Sequence, residues 1–337
     1  MINIDGSFLE GGGQILRTSL SLSALTRKSF RIENIRKKRD NPGLAIQHLE
    51  AIKAISSIMN VKTGAKKGDT TIEFYPKELT DKEEIKIEIP TAGSTSLILS
   101  TLLPILYNLK KDLKIKIIGG GTWNKWAPSV LYLQKVILPL LEKISIKAEI
   151  NIKQDGFVPE GEAILEAVLR PWKNPQPLFL ENSEIKNLIV ESISSVSLQA
   201  RKVAERQLEA AVSLLKPLNI KIEKTARYVK AKGFGSGILI SSQPTILGKD
   251  VPGERSVTAE KVGGQAALGF LNEIENKAAV DCYAADQLMI YLALAGGRIK
   301  TSMISNHAKT NVYTIEKFLP VKFKIDEKEK IIECEKI

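Results

Sequence analysis

The sequence predicts a mixed α/β protein in which helices lie on small sheets and a smaller α/β block interrupts a larger one. Three observations predict it. Stretches of alternating apolar and polar residues trade places with stretches of helical period along the 337 residues. A strand, a glycine-rich turn and a helix recur, as in a protein built from similar units. A proline-rich stretch holding Pro171, Pro175 and Pro177 then marks a change of pattern, and the first pattern resumes only from Ala278.

Residues 1–5 read as a short strand, Gly11-Gly12-Gly13 as a turn, 14–25 as a helix and 30–35 as a second strand. Asn41-Pro42 supplies an N-cap and a first-turn proline for a helix over about 43–59. Its Leu49, Ile52, Ile55 and Met59 fall at helical spacing and should face the core. Residues 70–75 and 85–89 alternate like strands. Thr91-Ala92-Gly93-Ser94 leads into a helix to about 109, and 113–118 is a strand. After Gly119-Gly120-Gly121, a helix opened by Pro128 runs to about 141, with strands at 144–152 and 163–169.

The block from 184 to about 275 reads as a strand, a helix over 198–215, strands at 220–230 and 237–242, and a helix from about Thr258. A helix over 278–295, Gly296-Gly297, a strand at 298–304, a helix at 310–319 and a strand pair follow. The expectation is one large discontinuous domain, 1–182 with 276–337, carrying an insert domain at 183–275.

Composition narrows the chemistry. Lys and Arg number 49 against 38 Asp and Glu, a net charge of +11, which favours a polyanionic partner, although a thermophile's lysine-rich surface looks similar. The excess crowds one stretch, where Arg27, Lys28, Arg31, Arg36, Lys37, Lys38 and Arg39 are opposed only by Glu33. Cys282 and Cys334 are the only thiols and His48 and His307 the only imidazoles, so a disulfide scaffold and a zinc site of about four N or S ligands are excluded. Any metal should be a hard cation held by carboxylate and substrate phosphate. No apolar run reaches the ~18 residues of a membrane span. The opening Met-Ile-Asn-Ile-Asp has no secretory character, so a cytoplasmic location is expected.

Three constellations could carry chemistry. In the first, running from Asp5 to Arg17, a glycine turn at a helix N-terminus makes an anion cradle. Glu10 could hold a divalent ion just outside it, and Arg17 sits one turn inside the helix, able to reach a phosphate. Taken alone, this segment is better explained as a tight strand–helix turn with a capping glutamate. In the second, from Arg39 to His48, Arg39 would stand beside a positive helix end; Arg39 and Gln47 are the better candidates for substrate contact, and His48, beside Leu49, is read as a satisfied structural histidine. In the third, Ser305-Asn306-His307-Ala308-Lys309-Thr310-Asn311, His307 lies just ahead of a helix. The helix dipole disfavours the imidazolium there, which suits a nucleophile that could attack phosphorus. A polar capping turn with an incidental histidine fits the same residues.

Together and in order, these segments resemble the RNA 3′-terminal phosphate cyclase family. The resemblance covers nearly the whole chain: Asp-Gly-x-x-x-Glu-Gly-Gly-Gly-Gln-Ile-Leu-Arg at 5–17, Arg-x-x-Pro-Gly-Leu-x-x-Gln-His at 39–48, Ala-Gly-Ser at 92–94, Gly-Gly-Thr at 120–122 with Ala127-Pro128, Ala-Asp-Gln-Leu at 285–288, and His-x-x-Thr-Asn at 307–311 with Phe-Leu-Pro at 318–320. No single piece is diagnostic, but six in order are highly specific.

The resemblance implies a large domain of three related units, each of two helices on a four-stranded sheet, with an insert in the third. It also implies an ATP-dependent enzyme of the ligase class acting on RNA with a 3′-terminal phosphate. A histidine, His307 by position, takes AMP from ATP. AMP then passes to the RNA 3′-phosphate, and the neighbouring 2′-OH closes a 2′,3′-cyclic phosphate. By similarity Glu10 is the carboxylate that works with Mg²⁺ or Mn²⁺, and Arg17 and Arg39 meet phosphates or RNA. Ser100, Pro128 and the run Tyr283, Ala284, Ala285, Asp286 and Gln287 form part of the nucleotide pocket, Tyr283 packing against adenine; Gln14 and Gln47 contact substrate. Ser100 stands where bacterial relatives carry glutamine, Trp123 where an acidic residue is common, and Gly161-Glu162-Ala163 where three glycines are usual. Non-catalytic cyclase-like RNA-binding proteins of ribosome assembly lack the nucleophilic histidine that is present here. An enolpyruvyl transferase, related in architecture, would leave the Glu-Gly-Gly-Gly and His-x-x-Thr-Asn segments unexplained.

Overall fold

Within 1–79 the first two strands run parallel, which needs a crossover between them, and a helix supplies it. Strand β1 (Ile2–Asp5), helix α1 (Gly13–Thr26), β2 (Phe30–Glu33), α2 (Ile46–Ile58), β3 (Met59–Lys62) and β4 (Ile72–Leu79) give the order β1-β2-β4-β3, with β1 parallel to β2 and the other pairs antiparallel. The computed structural model of the protein, which shows this, describes residues 1–9 and 11–336.

The second stretch repeats that path. It runs β5 (Glu84–Ser94), α3 (Thr95–Leu102), β6 (Leu113–Gly121), a helix made of α4 (Val130–Tyr132), a π turn at Leu133–Ile137 and α5 (Leu138–Glu142), then β7 (Ala148–Gln154) and β8 (Ile164–Leu169). The order is β5-β6-β8-β7. A third stretch starts with β9 (Leu178–Leu180) and is interrupted by β10 (Ile185–Ser195), α6 (Val203–Leu215), β11 (Lys221–Val229), β12 (Ser236–Pro244), β13 (Gly248–Pro252) and α7 (Ala259–Glu275). It resumes with α8 (Cys282–Ala295), β14 (Gly297–Lys300), α9 (Asn306–Phe318), β15 (Val321–Asp326) and β16 (Ile331–Lys336), in the order β15-β16-β14-β9. Read from the other edge this is the same topology, so the three repeats anticipated from the sequence are present. The interrupting strands form their own sheet, β11-β10-β12-β13, with their own core around Leu188, Val190, Ile240 and Phe270. Among the described residues there are four four-stranded sheets and nine α-helical segments.

Helices α1 and α8 run through the middle of the main core, and their sequences show why. In α8 nearly every residue from Leu288 to Ala295 is apolar and buried. Helix α1 instead alternates leucine with Ser19, Ser21 and Ser23, which are buried too. Their hydroxyls stay satisfied by donating to carbonyls, Ser19 to Ile15 at 2.7 Å, Ser21 to Thr101 at 2.8 Å and Ser23 to Lys28 at 2.7 Å. Small side chains let α1 lie against α2, α3 and α9 at once.

Several boundaries differ from the sequence reading. Asn41-Pro42 opens no helix: Gly43, at φ +83°, donates to the Ile35 carbonyl and Leu44 to that of Asp69, which pins this stretch as a loop, and α2 begins only at Ile46. It ends at Ile58, because Met59 starts a short strand against β4. The helix expected over 198–215 starts as a 3₁₀ turn, Val196–Arg201, and Lys202 in the left-handed region separates it from α6. The strand expected at 144–152 starts at Ala148 and the helix expected from 278 at Cys282. The strand expected to 304 stops at Lys300, and the helix expected from Thr310 starts at Asn306, because Ser305 caps it. Strand β13 has no counterpart in the sequence reading.

Candidate active site

The early start of α9 places His307 in its first turn. Ser305 is the N-cap, its hydroxyl accepting from the Ala308 N–H at 2.9 Å. The same hydroxyl bonds the Asp286 carboxylate of α8. One turn after His307, Asn311 donates to the Asp286 carbonyl at 2.7 Å and accepts from the Thr18 hydroxyl of α1 at 2.8 Å. The spacing His-x-x-x-Asn therefore puts a three-helix lock one turn below the imidazole. A second tie comes from the end of β1 and the loop after it, where the Asp5 N–H donates to the Tyr313 hydroxyl at 3.1 Å and the Phe8 ring stacks on that of Tyr313 at 4.1 Å.

These ties bring Gln14, in the first turn of α1, against His307. The Gln14 amide oxygen bonds His307 Nδ1, while its NH₂ group lies 3.4 Å from the His307 carbonyl. An amide oxygen only accepts, so Nδ1 is the protonated nitrogen and Nε2 keeps its lone pair. Gln14, anticipated as a substrate contact, bonds the histidine.

Beside this pair lies a cluster of hydrogen-bond donors. The first-turn N–H groups of α1 have no partners within their own helix, and its N-cap, Gly12, has no side chain to offer. Arg39 Nη2 is 3.6 Å from where a Gly12 β-carbon would stand. Arg39 thus faces the end of α1. His48 is buried, 1% exposed, and its ring edge lies so close to Gly13 that a β-carbon there would be 2.1 Å from Nε2. Its Nδ1 accepts from the Ala45 N–H at 2.9 Å, so in the neutral ring Nε2 carries the proton, and it has no partner among the described residues. The satisfied histidine of the sequence reading is half satisfied. Burial, with help from the Arg17 and Arg36 charges, pulls its pKa down to about 3. Burial also lowers Arg17 to about 10, so its guanidinium stays charged at neutral pH. Helix N–H groups, two guanidinium groups and an imidazole N–H are the kind of donor set that suits an anion.

Several of the remaining residues are brought together from separate elements. Ser100 of α3 donates to the Gln287 side chain at 3.2 Å, and Ser96, one turn earlier, donates to the Pro128 carbonyl at 2.5 Å. Asp281 caps α8 by accepting from the Tyr283 and Ala284 N–H groups, and also from the Tyr132 hydroxyl at 2.6 Å. Burial and the nearby Glu273 carboxylate push its pKa up to about 7. Tyr283 is 49% exposed, whereas Ala284 and Ala285 are buried in the core and add only their backbone. Gln47 is exposed in the first turn of α2, beside His48, and makes no hydrogen bond to another site residue among those described. Glu10 lies outside the described residues. Cys282 is buried, and burial pushes its thiol pKa up, which removes it as a nucleophile.

Two residues singled out by the resemblance lie away from this cluster. Trp123 is buried with its indole against Gly237 of β12, and Glu162 pairs with Lys232 at 2.5 Å. Both bridge the second repeat to the interrupting sheet. Sequence reasoning missed Asp281; an aspartate directly before a helical run is an N-cap signal that could have found it.

Fold and site together define a class: an α/β protein of three repeated units whose helix N-termini converge on one imidazole beside a cluster of donors. The chain matches the family model described as RNA 3′-terminal phosphate cyclase over residues 8–325, and it belongs to that family. It is 41% identical over 329 residues to the RNA 3′-terminal phosphate cyclase of Pyrococcus furiosus, covering 96% of this chain and 95% of the relative. It is 42% identical over 335 residues to that of Saccharolobus solfataricus, covering 97% of each, and 42% identical over 330 residues to that of Pyrococcus abyssi, covering 97% of this chain and 95% of the relative.

Proposed function

We propose that this chain is an ATP-dependent RNA 3′-phosphate cyclase that works through a covalent adenylate on His307. The observation that carries the reading is the hydrogen bond from His307 Nδ1 to the Gln14 amide oxygen, which leaves the Nε2 lone pair for use as a nucleophile. In the first step Nε2 attacks the α-phosphorus of ATP, an N–P bond forms, and the bond to pyrophosphate breaks. An oxygen of the RNA 3′-phosphate then attacks the same phosphorus, the N–P bond breaks, and the imidazole returns neutral. Finally the 2′-OH attacks the activated 3′-phosphorus, loses its proton to solvent and expels AMP. That hydroxyl is already adjacent, so proximity supplies much of the acceleration.

In this reading Arg17, Arg39, the α1 N-terminus and the His48 N–H hold phosphate, and their charges offset what builds up on phosphoryl oxygens. Ser100, Pro128 and Tyr283 to Gln287 shape the nucleotide pocket, with the tyrosine ring against the base. Gln47, next to the cradle, meets the RNA. A divalent ion, Mg²⁺ or Mn²⁺, fits this donor set only with help from the substrate: no group of three or more His, Cys, Asp or Glu among the described residues could hold one. A hard cation needs no more than one or two carboxylates plus phosphate oxygens. Glu10 would supply that carboxylate, and the ion would neutralise phosphoryl charge.

The division into a catalytic domain, 1–182 with 276–337, and an insert domain, 183–275, belongs to the same proposal, supported by the separate sheet and core of the interrupting strands. No helix among the described residues is long and apolar enough to cross a membrane, and we place the reaction in the cytoplasm, where RNA and ATP meet. The test is incubation of an RNA oligonucleotide bearing a 3′-phosphate with the protein, ATP and Mg²⁺ or Mn²⁺. Cyclisation makes the terminal phosphate resistant to phosphatase, and omission of ATP abolishes the change. RNA that is bound yet stays phosphatase-sensitive under all these conditions would mark a binding protein instead.

A further inference from the structure

We propose that Lys249, carried by β13 of the interrupting sheet, is a positioning residue for Tyr283 and through that ring sets how tightly the base of the nucleotide is held. The inference rests on the reading above that Tyr283 packs against adenine. Lys249 Nζ lies 4.3 Å from the centroid of the Tyr283 ring and donates to its hydroxyl at 3.0 Å. An ammonium held both over a ring and to its oxygen restricts rotation about both side-chain torsions. Half of the tyrosine remains exposed, enough surface for a base to lie on. A ring held in advance loses less freedom when the base arrives.

The lysine is itself held. Its stem crosses Gly269 of α7, where a β-carbon would stand 2.7 Å from Cε. Its neighbours are tied to both sides of the pocket. The Gly248 N–H donates at 3.0 Å to Asp281, the cap of the helix that carries Tyr283. The Asp250 carboxylate accepts at 2.5 Å from the N–H of Ser129, the residue after Pro128. Three consecutive residues of β13 therefore reach the cap, the ring and the proline side of one pocket. A segment that interrupts the third repeat thus supplies a wall of the site.

The test uses the whole protein, ATP labelled at the α-phosphate and no RNA, and reads the rate of label uptake against ATP concentration. Lys249→Met is expected to raise the half-saturating ATP concentration about tenfold and to change the maximal rate by less than about twofold. Lys249→Arg should restore most of the affinity. Gly269→Ala keeps the lysine but pushes its stem aside, and should give a smaller rise in the same direction. Inorganic tripolyphosphate, which has no base, should inhibit wild type and Lys249→Met equally. Unchanged half-saturation in both Lys249→Met and Gly269→Ala overturns the inference. So does an equal loss of affinity for tripolyphosphate, which would mean that Lys249 acts on phosphate. A wild-type protein that takes no label overturns the functional reading itself, an outcome distinct from either.

Discussion

Gln14 and His307, 293 residues apart, meet across the N-termini of two helices, with the Gln14 amide oxygen on His307 Nδ1 and its NH₂ group near the His307 carbonyl. The contact fixes both the tautomer and the tilt of the ring. It depends on α1, α8 and α9 being locked together by Asn311, so the chemistry of one nitrogen rests on the packing of the central helices.

If Gln14 selects the tautomer, Gln14→Leu should slow adenylation about 10- to 100-fold, the usual cost of losing a group that orients a reactive histidine. ATP binding should be nearly unaffected. Single-turnover labelling separates the two, and a Gln14→Leu protein labelled at the wild-type rate would contradict the assignment.

Arg17 is a cation held partly out of water, with no ion pair among the described residues. Such a charge costs stability until an anion arrives. Arg17→Met should therefore leave the ligand-free melting temperature unchanged or raise it, while removing the stabilisation that inorganic phosphate or 3′-phosphorylated RNA gives the wild type. Thermal melts with and without phosphate check this. An equal phosphate-induced shift in the variant would place the anion elsewhere.

His48 predicts a pH dependence. Its folded pKa of about 3 lies below its ordinary value of 6.5, so between those pH values the unfolded chain binds more protons. The histidine's contribution to stability is thus present above pH 6.5 and is lost as pH falls toward 3. In His48→Gln that component disappears, and the stability difference between wild type and variant should shrink as pH is lowered from 7 to 4. Asp281, held high, drifts in the opposite sense but is common to both proteins and cancels. Urea midpoints across that range read the effect.

Gly13→Ala is expected to destabilise the fold by about 1–3 kcal/mol, the typical cost of overpacking a filled site. The added methyl would meet His48 Nε2, and the ring cannot yield without losing the Ala45 hydrogen bond. The same change should weaken phosphate binding. Denaturant unfolding and phosphate titration measure the two effects separately.

What the sequence shows of this molecule follows the range of the interactions involved. Helices and turns were legible where local signals decide them, as with the Thr258 cap of α7 or the glycine turn before α1. Asn41-Pro42 misled, because the loop there is set by contacts with residues 35 and 69. The threefold topology is invisible as sequence identity, since the repeats share a strand order rather than residues. His307 could be singled out because only two histidines exist. Its partner Gln14 and the contact of Lys249 with Tyr283 depend on long-range pairings, which no local pattern encodes.

The central claim is that His307 Nε2 accepts AMP. The most direct measurement is incubation with ATP labelled at the α-phosphate in the absence of RNA, followed by mapping of the modified peptide by mass spectrometry. The account predicts an acid-labile, alkali-stable adduct of one AMP on His307 that is absent from His307→Ala. Full labelling of His307→Ala, or AMP found on any other residue, would contradict it.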